Sequence, residues 1–189
     1  PDILGEYFVL DVWKRMGGAA KAMLAAGAAT GTVGSIMTLI RMVQDFPDLF
    51  PHHNLCTVLK ETSDHNVATV LAWIAPNYVS LAFRVKKWDW ILDYLDALKK
   101  ARKGFDSPEI AHEEAKAAVN LTTIAGQSED WPKVKVMLER LDALRQDFLD
   151  NAEIAVKAAQ AAYNVIHAAI PSGEQTQVKA MLERLDALR

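Results

Sequence analysis

The clearest pattern of apolar and polar positions lies in VKVMLERLDALR, residues 134–145. Its large apolar side chains recur at steps of three and four residues, at Val134, Leu138, Leu141 and Leu144. Charged residues take the positions that face away from them: Lys135, Glu139, Asp142 and Arg145. This spacing predicts an amphipathic α-helix that buries one face and runs to about Phe148.

The same pattern returns 44 positions later as VKAMLERLDALR, residues 178–189. Between the copies, Asp150 and Glu153 have the spacing of a capping box and open an alanine-rich second helix, EIAVKAAQAAYNVIHAAI. We expect Pro171, Ser172 and Gly173 to end that helix, because proline breaks the hydrogen-bond ladder and glycine relaxes the exit. The period is therefore one helical hairpin, which gains cover for its apolar face by stacking on a neighbour.

Residues 88–127 follow the same plan with weaker identity. WDWILDYLDALKKARKGF predicts a first helix, DSPE a turn with Pro108 near the next helix start, and EIAHEEAKAAVNLTTIAG a second helix. The letters LDAL recur at 95–98, 141–144 and 185–188, so the spacings are 46 and 44. Residues 88–189 are therefore predicted to be helical repeats, of which the last is truncated.

Residues 34–87 are predicted to be degenerate repeats of the same kind. GSIMTLIRMVQDF, NLCTVLKET and NVATVLAWIAPNYVSLAFRV have helical patterns, and we expect a kink or break at Pro76. Residues 1–33 predict N-terminal helices in GEYFVLDVWKRM and GGAAKAMLAAGAA. Strand-like alternation is nearly absent, so the predicted fold class is all-α, with stacked antiparallel helical hairpins forming an α-solenoid of about 44 residues per unit in the C-terminal half.

These residues resemble known families. DNAE in the hairpin turn, Pro171 at the close and alanines along the second helix resemble a tetratricopeptide repeat, although the unit has 44 rather than 34 residues and lacks a clear Trp-Leu-Gly-Tyr signature. The opening PDILGEYFVL is similar to the segment that closes the nucleotide-binding and winged-helix portion of bacterial STAND-type signalling NTPases. This resemblance implies that the chain is the C-terminal sensor array of a larger NTPase, with residues 1–33 at the junction.

Composition and charge narrow the classes of partner. Hydrophobic residues make up 51% and charged residues 24%, the balance of a globular protein, and the net charge of −3 gives no overall attraction for nucleic acid or anionic lipid. The single cysteine, Cys56, fits a reducing compartment, so we expect a cytoplasmic location. Residues 22–40 are uncharged and long enough for a bilayer, but their Ala, Gly, Ser and Thr content favours close packing in a protein core. We therefore expect no membrane partner.

The densest group of metal-ligand side chains is His52, His53 and Cys56, followed by Asp64 and His65. The three-residue step from His53 to Cys56 places both on one side of a helical turn. No CxxC or HxxxH pair accompanies them, which favours a core cysteine beside a histidine-bearing loop over a zinc site.

Motifs of catalysis are missing from the sequence. HEEAK at His112 to Lys116 lacks the second histidine of a metalloprotease helix, GAATGTVGS lacks the lysine of a phosphate-binding loop, and no serine has a GxSxG setting. We therefore expect no enzyme activity, no cofactor, and no catalytic, cofactor-binding or metal-binding residue.

A basic run extends from residue 84 to residue 103, where seven Lys or Arg and three Asp are interleaved with Trp88, Trp90 and Tyr94. Such a mixture can contact a phosphate backbone, but the interspersed acids and the helical spacing of the aromatics favour a solvated face over a nucleic-acid site.

The sequence thus predicts a non-catalytic protein-interaction or ligand-sensing repeat module of a larger signalling NTPase, with a protein as its partner. Two alternatives stay open. One is a nucleic-acid or small-molecule sensor on the same helical array, and the other is a structural module that self-assembles through its repeat ends. No partner-binding residue is assigned by the sequence.

Overall fold

The computed structural model describes residues 3–16, 25–29, 38, 41–42, 44–46 and 52–187. Every regular element in these ranges is an α-helix, and they contain no strand. The predicted all-α fold class is therefore confirmed, whereas the tetratricopeptide-like solenoid stays a prediction. Much of the predicted helices GGAAKAMLAAGAA and GSIMTLIRMVQDF lies outside the described residues.

The longer helices of the described ranges follow one another with short connections. In chain order they are α1 (Ile3–Met16), α2 (His52–Glu61), α3 (His65–Trp73), α4 (Ala75–Arg84), α5 (Trp88–Phe105), α6 (Pro108–Gln127), α7 (Trp131–Asp147), α8 (Ala152–Ser172) and α9 (Gln175–Asp186). Helix pairs α5/α6 and α7/α8 occupy the two stretches for which the sequence predicts helical hairpins.

Contacts between Cα atoms divide the chain into two compact units, residues 1–110 and residues 111–189. The division falls in the first turn of α6. The boundaries expected from sequence, at 1–33, 34–87 and 88–189, stay predictions.

In the first unit, helices α2, α3 and α4 each pack against α5. Ile91, Leu95 and Leu98 of α5 are fully buried, at the four- and three-residue steps that line one helical face. Full burial of a side chain of this size contributes about 1.5–3 kcal/mol, so this face of α5 holds the unit together.

The predicted break at Pro76 is confirmed. Helix α3 ends at Trp73 and α4 begins at Ala75, with the proline in the first turn of α4. The first turn is where a helix does not need the N–H group that proline lacks. The two helices meet at a bend of 45°.

The uncharged stretch at residues 22–40 lies mostly outside the described residues. Within the part of the chain that is described, no single helix has both the length and the apolar character needed to cross a bilayer. Helices α3 and α4 reach those criteria only when taken together as a bent pair. Much of α3 is buried in the protein, including Val67, Val70 and Leu71.

In the second unit, α8 packs against both α7 and α9. The twelve-residue pattern is helical in both copies, within α7 and, as far as Asp186, within α9. The first copy buries the face predicted from its spacing: Val134, Met137, Leu138, Leu141 and Leu144.

The start of α8 corrects the predicted capping box. The N-cap is Asn151 and not Asp150: its side-chain oxygen accepts hydrogen bonds from the N–H groups of Glu153 at 3.0 Å and Ile154 at 3.2 Å. Its carbonyl also accepts the first helical bond, from Ala155 at 3.2 Å. Asp150 is an exposed turn residue, one position too early to reach these donors.

The end of α8 corrects the predicted role of Pro171. The proline lies inside the last turn, and the helix continues through Ser172. Gly173 ends it by taking a left-handed conformation with φ of +74°, which lets the N–H of Glu174 reach the carbonyl of Ala169 at 3.0 Å. So close to the helix end, the missing N–H of a proline removes a single ladder bond, which the helix tolerates.

Candidate functional site

The predicted cluster of histidines and cysteine lies in α2. His52 and His53 occupy its first turn, so the expectation of a histidine-bearing loop is wrong. His52 and Cys56 are buried, whereas His53 is exposed. The four-residue step therefore brings His52, and not His53, onto the face of Cys56, because the buried side of the helix passes through residues 52, 55, 56 and 59.

His52 is the centre of a small polar group in the first unit. Its Nε2 atom lies 3.6 Å from Cys56 Sγ and 3.8 Å from Asp93 Oδ2, and its Nδ1 atom is hydrogen-bonded to the hydroxyl of Tyr78. Its ring stacks on Trp90, with ring centroids 4.8 Å apart. Thiol, imidazole and carboxylate side by side have the composition of a cysteine nucleophile with its base.

The pKa values argue against that chemistry. Burial raises the pKa of the Cys56 thiol to about 12, with Lys60 opposing the rise. Burial also lowers the pKa of His52, an effect that Asp93 partly offsets, and raises the pKa of Tyr78. At neutral pH the thiol is therefore protonated, whereas a nucleophile or metal ligand must be a thiolate. His52, Cys56 and Tyr78 are therefore described best as a buried polar part of the core, with Asp93 at its exposed edge.

The other candidate metal ligands have structural roles. Asp64 caps α3 by accepting a hydrogen bond from the N–H of Asn66 at 2.8 Å. His65 Nε2 lies 3.0 Å from the hydroxyl oxygen of Ser107. Across the residues that the structure describes, no three His, Cys, Asp or Glu side chains are grouped so as to hold a metal ion.

The basic run is built mainly into α5. Tyr94 is fully buried and donates its hydroxyl to the carbonyl of Leu71, and Arg102 is also buried. Trp90 stacks on His52, and the ammonium group of Lys87 lies over its ring, 5.4 Å from the centroid. Because these side chains are engaged within the unit, they do not form an open stacking platform for bases.

The acidic residues of HEEAK stabilise contacts of α6. Glu114 is fully buried, and its Oε1 atom accepts a hydrogen bond of 2.8 Å from Arg140 of α7. His112 Nδ1 lies 3.2 Å from Glu153 Oε2 of α8, and Glu113 pairs with Lys116 at 2.7 Å. Sequence reasoning missed the Glu114–Arg140 pair, because its members are 26 positions apart.

The surface of the second unit carries an apolar stripe along α8. Its members recur at steps of three and four residues, and we call them the α8 stripe: Val156, Ala159, Tyr163, Ile166 and Ile170. Val156, Tyr163 and Ile170 are 62%, 56% and 62% exposed, and Ala159 and Ile166 are partly exposed. Steps of this kind form the contact seam of a helix that packs on another helix.

A groove borders the end of the stripe, between α8 and α9. It has a volume of about 380 Å³ and is lined by Ala169, Ile170, Val178 and Leu182 among others. Leu182 is 52% exposed, whereas Leu138, its counterpart in the first copy of the twelve-residue pattern, is 6% exposed. The same sequence thus buries its leucine in α7 and leaves it open in α9.

The spacing of the stripe was a signal in the sequence. Val156, Tyr163 and Ile170 stand seven residues apart, and Leu149, which is 82% exposed in the turn before α8, continues the series. Because α8 has apolar residues on most of its circumference, the pattern alone does not tell which of them the fold covers.

Fold and site together define an all-α protein whose C-terminal unit repeats a helical pattern and exposes an apolar seam. No known protein-family model matches the chain, and no curated protein matches it.

Proposed function

We propose that the chain is a non-catalytic, tetratricopeptide-like repeat module that binds a protein partner. The observation that carries the proposal is the α8 stripe, in which three large side chains in line are each more than half exposed. Covering each of them would contribute about 1 kcal/mol, because full burial of such a side chain is worth about 1.5–3 kcal/mol. Aligned apolar side chains on a helix surface are typical of a protein-docking site.

Two observations favour a protein over the alternative ligands. Tyr94 of the basic run is fully buried and Trp90 stacks on His52, which weakens the case for nucleic acid. The exposed apolar surface runs about 21 Å along α8, from Val156 to Ile170, well beyond the groove of about 380 Å³ at its end, so it fits an extended protein segment better than a compact small molecule.

We further propose that the module is the sensor region of a bacterial, cytoplasmic STAND-type NTPase. The resemblance of PDILGEYFVL to the segment before the repeat arrays of those enzymes supports this placement. A bound partner would then alter nucleotide turnover only if it bound two states of the NTPase with different affinity.

The protein-binding role is tested by photo-crosslinking. A photoreactive phenylalanine analogue replaces Tyr163 in the stripe or, as the matched control, Val136, an exposed apolar residue of α7 that is 41% accessible. Both chains are irradiated in an extract of the source cells. We expect discrete protein adducts at position 163 and none at position 136.

Other outcomes would count against the proposal. Adducts of equal yield at both positions would show non-specific contact and no binding site at the stripe. Adducts that nuclease removes would favour the nucleic-acid alternative. An adduct that contains only a second copy of the chain would favour self-assembly.

A further inference from the structure

Helices α6 and α8 have related sequences in a register of 44 residues. Glu109-Ile110-Ala111 corresponds to Glu153-Ile154-Ala155, and Ala117-Ala118 and Asn120 correspond to Ala161-Ala162 and Asn164. In this register the α8 stripe corresponds to a face of α6 that we call the α6 face: His112, Ala115, Val119, Thr122 and Gly126.

The α6 face is covered, and α8 contributes to the cover. Asn164 of α8 donates a hydrogen bond of 2.8 Å to the hydroxyl of Thr123, next to Thr122. A Cβ atom on Gly126 would lie 3.1 Å from the Cβ atom of Ala168 in α8, so the two backbones approach closely. Accordingly, Ala115 and Thr122 are fully buried and Val119 is 4% exposed.

The corresponding positions of α8 are open. Tyr163, which corresponds to Val119, is 56% exposed, and Ile170, which corresponds to Gly126, is 62% exposed. The first helix of the repeat shows the same difference, because Leu138 of α7 is buried and Leu182 of α9 is not. Within the second unit, a helix thus covers the first instance of a repeated surface, whereas no helix of residues 111–187 covers the second.

We propose that the α8 stripe and the α8/α9 groove bind one amphipathic, alanine-rich α-helix of a partner protein, in the way that α6 and α7 receive α8. The inference rests on the proposed protein-binding function and names the class of partner. The occupant is an alanine-rich helix because α8 presents Ala168 and Asn164 to α6, and small side chains leave room for the larger residues of the stripe.

The size of the side chains in the stripe defines the class of partner helix more closely. Ile170 stands where α6 has Gly126, and Val156 stands where α6 has His112. A helix on the stripe therefore lies farther from α8 than α8 lies from α6. It also packs on an apolar surface that lacks a counterpart of His112, the residue of α6 that lies against Glu153. We expect alanine or glycine opposite Ile170, and no acidic side chain opposite Val156.

The size of the surface favours a single helix over a second copy of the chain. From Val156 to Ile170 the stripe is about 21 Å long at 1.5 Å per residue, and a helix is about 10 Å wide, which gives roughly 200 Å². A stable dimer usually buries about 800 Å² on each partner. The stripe with its groove has the dimensions of a helix-binding site.

The test uses the α8 sequence as the probe, with one change that removes its acidic side chain at the position opposite Val156. A fluorescently labelled peptide of residues 151–173 with Glu153→Ala and blocked ends is titrated with the full chain, and binding is followed by fluorescence anisotropy. We expect saturable binding that Tyr163→Asp weakens at least ten-fold, because it places a charge in the middle of the apolar seam. Val136→Asp, the same kind of change at an exposed apolar residue of α7, should alter the affinity less than two-fold.

Far-UV circular dichroism checks that both variants are folded, which we expect because both side chains are exposed. Absence of peptide binding, or binding that Tyr163→Asp leaves unchanged, overturns the helix-binding inference. Light scattering that shows a Tyr163-dependent dimer overturns it in favour of a second copy. The photo-crosslinking result is independent of the peptide, so a protein adduct at position 163 would uphold the proposed function even if the helix inference failed.

Discussion

Removal of Glu114 is expected to destabilise the protein strongly. Its carboxylate is fully buried and accepts a hydrogen bond from Arg140, whose side chain is only 15% exposed. Glu114→Ala would leave the guanidinium in a poorly hydrated place without this carboxylate. Loss of one member of a buried ion pair costs about 3–5 kcal/mol, a large share of the 5–15 kcal/mol by which proteins are usually stable.

The free energy of unfolding, measured by urea titration with circular dichroism, checks this value. The control is Glu139→Ala, which removes a carboxylate 3.9 Å from Lys135 in an exposed pair, 65% and 79% accessible, and should cost at most about 1 kcal/mol. Replacing both Glu114 and Arg140 with methionine should cost less than the sum of the two single changes, because neither member of this pair is then left in the core without the other. If Glu114→Ala and Glu139→Ala had equal effects, the assignment of a stabilising buried pair would be wrong.

Three further experiments test local features of the structure. Asn151→Ala should lower the free energy of unfolding, measured by urea titration, by about 0.5–2 kcal/mol, because Asn151 caps α8. Asp150→Ala should leave it almost unchanged. If the two effects were reversed, Asp150 would be the N-cap, as the sequence predicts. Burial lowers the pKa of His52 below 6.5, so the unfolded chain binds a proton at this residue more readily than the folded chain does. The free energy of unfolding should therefore fall as the pH drops from 7.5 to 5.5, by at most about 1.4 kcal/mol per pH unit. His52→Gln should make that fall shallower, and parallel curves would exclude His52 as the cause. Cys56, with its thiol pKa raised to about 12, should resist iodoacetamide at pH 8 until urea unfolds the chain, and rapid alkylation of the folded protein would contradict its burial.

The helices that local pattern determines were predictable from the sequence. The apolar steps of residues 134–145 predict both α7 and its buried face, and Pro76 predicts the break between α3 and α4. The details of helix ends were not predictable from the sequence. Asp150 and Asn151 are both good capping residues, and the path of the chain decides which one reaches the free N–H groups. His52 shows the same limit, since only the packing of α2 reveals that it is buried.

The candidate site was harder to predict from the sequence than the helices were, for a different physical reason. The two copies of the twelve-residue pattern have nearly the same letters, yet Arg140 pairs with Glu114 of α6, while its counterpart Arg184 pairs with Asp142 of α7. The exposure of Leu138 and Leu182 differs in the same way. The ion-pair partner and the exposure of a side chain depend on which helices surround it, and the sequence of the repeat does not encode these neighbours.

The central claim, that the α8 stripe is the surface where a protein docks, is tested most directly by methyl NMR spectroscopy. The chain is labelled at the methyl groups of Val and Ile and titrated with the partner that the photo-crosslinking identifies. The account predicts large chemical-shift changes at Val156, Ile166 and Ile170 and none at Val136. Changes at Val136 with an unaltered stripe would contradict it.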